Sequence, residues 1–194
     1  MSKKEDIIQT ALDLFNRFSY GSIGVDRIIL ESGVAKMTFY KYFTSKEKLI
    51  EACLIRSNEN IQSAILSELD SYQSEDYLGR IKAIYNWYLE WFKSEDFNGC
   101  MFQKASVEIL RQYPSVMQPI ENYRLWLSSL SEDLFIKLNV SQPNVLSSMF
   151  INILDGMTVY ANMSQNYEQI EQSWSYIERL IILDQSSRIF SNAS

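Results

Sequence analysis

The chain has no histidine among its 194 residues and only two cysteines, Cys53 and Cys100. Without imidazole there is no Ser-His-Asp or Cys-His nucleophile, no His-ligated zinc and no ordinary imidazole acid–base chemistry. Two lone cysteines do not build a thiolate metal site either. The chain therefore reads as a non-enzyme, with no cofactor and no metal. What it concentrates instead is a set of donors near its N-terminus. The stretch GVAKMTFYKYFTSKEKLI, residues 33–50, sets Lys36, Lys41, Lys46 and Lys48 among Phe39, Tyr40, Tyr42 and Phe43. Ammonium groups donate charge-assisted hydrogen bonds to phosphate, or to guanine O6 and N7. The hydroxyls of Thr38 and Tyr40 suit phosphate, and the Thr38 methyl suits a thymine methyl. A short core helix has no use for so many lysines, nor a solvated one for so many rings. A helix that packs on one face and meets a polyanion on the other has use for both.

The elements that must position these groups are helices. Only 6 Gly and 3 Pro punctuate the chain, too few for the turns of an all-β fold. Ser2-Lys3-Lys4-Glu5 fits a capping box, and Ile7, Ile8, Ala11, Leu12, Leu14, Phe15 and Phe18 follow as one helical stripe. Gly24 is placed to cap a second helix, Val25 to Ser32, with Val25, Ile28 and Ile29 inward and Gly33 as its left-handed stop. A third helix covers about Lys36 to Tyr42. On it Phe39 faces inward, joined by Phe43 four residues on, while Lys36, Met37, Thr38, Lys41 and Tyr42 take the remaining surface. Thr44-Ser45-Lys46-Glu47 fits another capping box, opening a long helix to about Leu69. Five more helices are expected near 76–93, 101–111, 116–138, 143–164 and 168–190. Two short helices around a Gly-containing turn form a helix-turn-helix, whose second helix enters the DNA major groove with its N-terminal residues at base edges. The fold class is all-α: a three-helix helix-turn-helix DNA-binding domain over residues 1–48 and a larger helical domain over residues 49–194.

Charge follows the same division. Residues 1–50 carry eight Lys/Arg against six Asp/Glu, and the remainder ten against eighteen, so a basic head precedes an acidic body. Apolar runs fall short of the ~18 residues a membrane span needs, and MSKKEDIIQT lacks a signal-peptide pattern. A cytoplasmic protein with no membrane partner is expected, its cysteines reduced.

The 33–50 stretch resembles the DNA-binding signature of the tetracycline-repressor (TetR) family of bacterial transcriptional regulators. Gly33, Val34, Thr38, Tyr40, Phe43, Ser45, Lys46, Glu47 and Leu49 match that signature, and the likeness extends upstream through ALDLFNRFSYGSIGVDRI to cover about residues 7–52. The resemblance implies a homodimer on a palindromic double-stranded DNA operator, with Lys36, Met37, Thr38, Tyr40, Lys41, Tyr42 and Lys46 where family members touch DNA. It also implies a ligand-responsive regulator, a repressor, released by a small-molecule effector. The chain departs from the pattern at Gly24, where a hydroxyl residue often caps helix 2, at Asp26, whose carboxylate would repel phosphate unless turned away, and at Ile29, which replaces a usual alanine.

In the acidic body, family resemblance implies an effector chamber and a dimer interface. The run IYNWYLEWF, residues 84–92, and the apolar groups after it supply rings for an apolar or aromatic effector. Trp87, Trp91, Met101, Gln103, Tyr123, Trp126 and Asp155 are the candidates for binding it. Met149, Ile153 and Met157 on one stripe, and Trp174, Ile177 and Ile181 on another, are the candidates for an intermolecular four-helix bundle. Two other readings are a helical small-molecule carrier or enzyme with a vestigial head, and a thiol-based electrophile sensor. In the second, Cys100 lies near a helix N-terminus with Lys104 one turn on to assist it.

Overall fold

The computed structural model describes residues 2–164 and 166–191, with side chains placed through residue 186. Helix α1, Lys3–Arg17, starts where the sequence places it: the Glu5 N–H donates to Ser2 Oγ at 3.3 Å. It ends before Phe18, which caps the helix and is exposed rather than continuing the inward stripe. The Arg27 guanidinium lies over its ring, 4.5 Å from the centroid. Helix α2, Val25–Ser32, has Gly24 as a side-chain-free N-cap and stops at Gly33, whose φ of 65° is the left-handed conformation that favours glycine. Ile28 alone of its three expected inward residues is fully buried; Val25 and Ile29 are half-buried. Helix α3 spans Lys36–Tyr42.

Helix α4, Lys46–Leu69, is capped one residue later than the Thr44 box suggests. Ser45 Oγ accepts from the Lys48 N–H at 3.2 Å. Glu47, expected to close the box, instead accepts from the Ser115 hydroxyl. Helix α5, Tyr77–Lys93, is capped by Asp76, whose carboxylate accepts from the Gly79 N–H at 2.9 Å. A Cβ at Gly79 would overlap that carboxylate. Helix α6, Met101–Glu108, is shorter than the expected 101–111, because the Leu110 N–H turns back to Ala105 O at 3.1 Å. A 3-10 turn, Pro114–Val116, leads into α7, Met117–Lys137. Asn139 then takes a φ of 58°, and α8, Pro143–Met163, and α9, Glu168–Ser191, complete the described chain.

The chain forms two compact units, residues 1–62 with 98–123, and residues 63–97 with 124–194. In the first, α1, α2 and α3 pack on one another over Ile7, Ala11, Phe15, Tyr20, Ile23, Ile28, Phe39 and Phe43, with Leu49, Ile50, Cys53 and Leu54 of α4 in the same core. Cys53 Sγ donates to Ile8 O at 3.9 Å, and burial pushes its thiol well up. The sequence division after residue 48 follows the helix-turn-helix; packing adds the first part of α4 and the α6 segment to the same unit. In the second, α5, α8 and α9 pack together over Ile84, Tyr85, Tyr88, Phe92, Phe150, Leu154 and Trp174. Among the described residues, no helix is long and apolar enough to cross a membrane, and no three Cys, Asp or Glu side chains cluster as a metal site would require.

Candidate nucleic-acid interface

Helix α3 is built from two opposed faces. Phe39 is 0% exposed, and its ring centroid lies 6.0 Å from that of buried Phe43. Those two rings fix the helix on α1. The other face is open: Met37 is 87% exposed, Tyr40 46%, and Lys36, Lys41 and Tyr42 are exposed as well. Thr38 is half-buried. The Tyr40 ring meets Phe39 edge-on at 5.3 Å, so the phenol is steadied by the core ring behind it while remaining in solvent. Two cations, a thioether, a hydroxyl and two phenols thus stand on one short surface.

The cations differ in their local engagements. Lys36 Nζ donates to Asp26 Oδ1 at 3.1 Å, across the turn between α2 and α3. That bond holds the ammonium above its ordinary range. Lys46 is half-buried and donates to Tyr20 O at 2.5 Å; burial lowers its pKa. Tyr20 itself is a junction that composition and periodicity do not announce. Its N–H donates to Glu108 Oε2 at 2.7 Å, and its hydroxyl to Met101 O at 3.1 Å. Burial is the main reason its phenol is pushed well up, with Cys53, Cys100 and Glu108 adding to it. Lys104 completes the junction. Its ammonium donates to the carbonyls of Phe15 at 2.8 Å, Asn16 at 2.9 Å and Phe18 at 3.2 Å, the C-terminal end of α1 where carbonyls lack helical partners. Lys104, expected to assist Cys100, directs its ammonium at the α1 terminus. Its only advance signal is the pair Lys104 and Glu108, one turn apart as the two charged residues of this short helix.

The effector candidates divide between the units. Met101, Gln103 and Tyr123 belong to the first, where Tyr123 is stacked on Phe102 with centroids 4.2 Å apart. Trp87, Trp91, Trp126 and Asp155 belong to the second. There, half-buried Trp87 and Trp91 stack at 5.8 Å, and Trp91 meets Phe97 edge-on at 5.0 Å. Asp155 accepts from the Arg124 guanidinium. Cys100, the residue before α6, is buried, and neither cysteine is in a disulfide.

The dimer candidates also divide. Met157, Trp174, Ile177 and Ile181 are buried within the chain, Trp174 against Tyr85 at 5.4 Å. Met149 is 42% exposed and Ile153 half-buried; both line a narrow apolar cleft with Phe135, Leu146, Ile177 and Leu180. Val145, Met149, Val159, Tyr160 and Met163 are exposed along α8, and Tyr176, Leu180 and Leu183 along α9. Sequence patterning identifies which helices carry wide apolar faces; it does not separate the side of each that packs inward from the side left open.

Comparison with known proteins bears on the head and on the whole chain separately. Residues 7–53 match the bacterial regulatory proteins of the tetR family. The chain is 23% identical over 190 residues to the HTH-type transcriptional repressor NemR of Escherichia coli, covering 92% of this chain and 93% of that protein. A solved TetR-family transcriptional regulator from Streptomyces coelicolor superposes with a TM-score of 0.82 at 21% identity, covering 95% of this chain and 96% of the other. The reduced form of Escherichia coli NemR superposes with a TM-score of 0.81 at 20% identity, over 92% and 97% of the two chains. The helix-turn-helix carries the match to the bacterial regulatory proteins of the tetR family, and the chain as a whole shares the fold of solved TetR-family regulators.

Proposed function

We propose that the chain is a homodimeric repressor that reads a palindromic operator through α3 and releases it when a small molecule occupies the helical body. The observation that carries this reading is the division of α3 between a buried pair, Phe39 and Phe43, and an open face of Lys36, Met37, Tyr40, Lys41 and Tyr42. An apolar side chain 87% exposed beside two lysines has no use in a monomer at rest, and contact with base edges and methyl groups gives it one. Thr38 adds a hydroxyl. Lys46 joins the set through the ammonium hydrogens not donated to Tyr20. The repressor sense follows the similarity to the NemR repressor over most of the chain.

Dimerisation is supported by the exposed apolar side chains of α8 and α9, which two copies can bury against each other as a four-helix bundle. In the body, the stacked tryptophans Trp87 and Trp91, with Trp126, favour an aromatic or apolar effector. Asp155 adds a carboxylate that a cationic effector would have to win from Arg124. Such a ligand works only by binding one head arrangement better than another, which shifts the population away from the spacing the operator requires. Footprinting on genomic fragments enriched by the full-length protein tests the reading. Two protected half-sites related by a dyad, with centres about one helical turn or a multiple of it apart, are expected. Protection without a dyad, or none at any fragment, would contradict it.

A further inference from the structure

Asp26 stands where a phosphate-binding surface has least use for a carboxylate, and its partner is the first residue of α3. It is the second residue of α2, behind an N-cap glycine that has no side chain to offer. A carboxylate there is favoured by the helix dipole. The opposite holds for Lys36: it is a cation at the N-terminus of α3, behind Ala35, which makes no side-chain cap. Nothing in α3 itself stabilises a cation at its first position. What holds it is Asp26, ten residues earlier in the chain, at 3.1 Å. Both side chains are open to solvent, Asp26 at 85% and Lys36 at 66%, so screening leaves the pair little to contribute to folding. Its consequence falls on whatever charge approaches that surface.

We propose that Asp26 is a specificity-determining residue of the DNA-binding surface: it withholds the Lys36 ammonium from phosphate and aims the remaining N–H donors at base edges. The inference rests on the assignment of α3 as the DNA-reading helix. An unpaired lysine at this position would seek any phosphate, since the backbone offers one on every nucleotide and carries no sequence information. Paired, it presents a nearly neutral couple in which the carboxylate competes with phosphate for the ammonium. The carboxylate raises the cost of any register that sets the α2 N-terminus against the backbone. The couple therefore weakens binding to arbitrary duplex more than binding to a matched site, which is how negative elements generate discrimination.

The test uses the full-length protein and two duplexes. One is enriched by the wild-type protein from a randomised DNA pool; the other is a scrambled duplex of equal length and composition. Affinities are measured across a salt series for wild type, Asp26→Asn, Lys36→Gln and the double variant. Asp26→Asn should bind the scrambled duplex about three- to tenfold more tightly and steepen its log K against log salt slope by about one per head, because a phosphate contact is gained. Its preference for the selected duplex should fall. Adding Lys36→Gln should abolish the gain, showing that Asp26 acts through Lys36. Unchanged affinities and slopes in Asp26→Asn would overturn the proposal, as would a gain that survives Lys36→Gln. If the wild type enriches no duplex at all, the DNA-reading assignment falls and this inference with it.

Discussion

Lys104 and Tyr20 show how single side chains hold the head together. One ammonium serves three carbonyls at the end of α1, and one tyrosine links the α1–α2 loop to α4 and α6 through its N–H, carbonyl and hydroxyl. Lys104→Ala is expected to destabilise the protein by about 1–3 kcal/mol, the range for a charged group's hydrogen bonds to partners left partly buried; urea denaturation measures it, and an effect within error would refute the clamp. A second test is alkaline. Burial pushes the Tyr85 phenol from 10.0 to about 12, and its hydroxyl donates to Ile170 O. A folded-state pKa above the unfolded one gives stability that is complete below pH 10 and lost as pH rises through about 12. The melting temperature should fall in that window, and Tyr85→Phe should show a shallower fall even though it starts lower; parallel profiles would contradict the assignment. The inward role of Phe39 and Phe43 is legible in their i, i+4 spacing. The roles of Lys46 and Lys104 are not, because a lysine's long stem reaches carbonyls that only the tertiary fold brings near.

Helix boundaries were the most legible feature of the chain, since caps and stripes are local. Val25–Ser32, Lys36–Tyr42 and Lys46–Leu69 lie where the Gly, hydroxyl and apolar spacing put them. The exceptions have tertiary causes or a competing local cap. Thr44 and Ser45 both offer a hydroxyl at the start of α4, and sequence does not rank them; the structure selects Ser45 and turns Glu47 toward Ser115. Ser45→Ala should therefore cost about 1 kcal/mol and Thr44→Ala only a few tenths, with equal losses contradicting the cap. At α5, Gly79→Ala should cost stability despite alanine's better helix propensity, because the new Cβ displaces the Asp76 carboxylate from its N–H. Helix α6 stops earlier than its apolar pattern suggests because Leu110 reverses onto Ala105, which no local signal in the sequence demands.

For the whole molecule, the all-α fold and the helix-turn-helix were readable from glycine scarcity, periodicity and the 33–50 signature, while the partition of each body helix into inner and outer faces was not. Met157, Trp174, Ile177 and Ile181 fit an apolar stripe as well as exposed Met149 does, and only packing shows them buried within one chain. The proposed dimer makes a sharper test at residues that burial leaves open. Met149→Asp or Leu180→Asp should shift the sedimenting species toward monomer at micromolar concentration, since an unpaired charge buried in an interface costs several kcal/mol; a monomeric wild type would remove the dimer altogether. An effector should raise the melting temperature and weaken operator binding by the same factor by which the operator weakens its own. The central claim is that the open face of α3 reads sequence, and it is tested most directly by the affinity difference between the selected and scrambled duplexes. Alanine at Met37, Thr38 and Lys41 together, with Phe39 and Phe43 untouched, should leave the melting temperature within a degree or two and reduce that difference at least tenfold, given about 1–3 kcal/mol for each lost base-edge contact. A variant that keeps the wild-type preference would contradict the account.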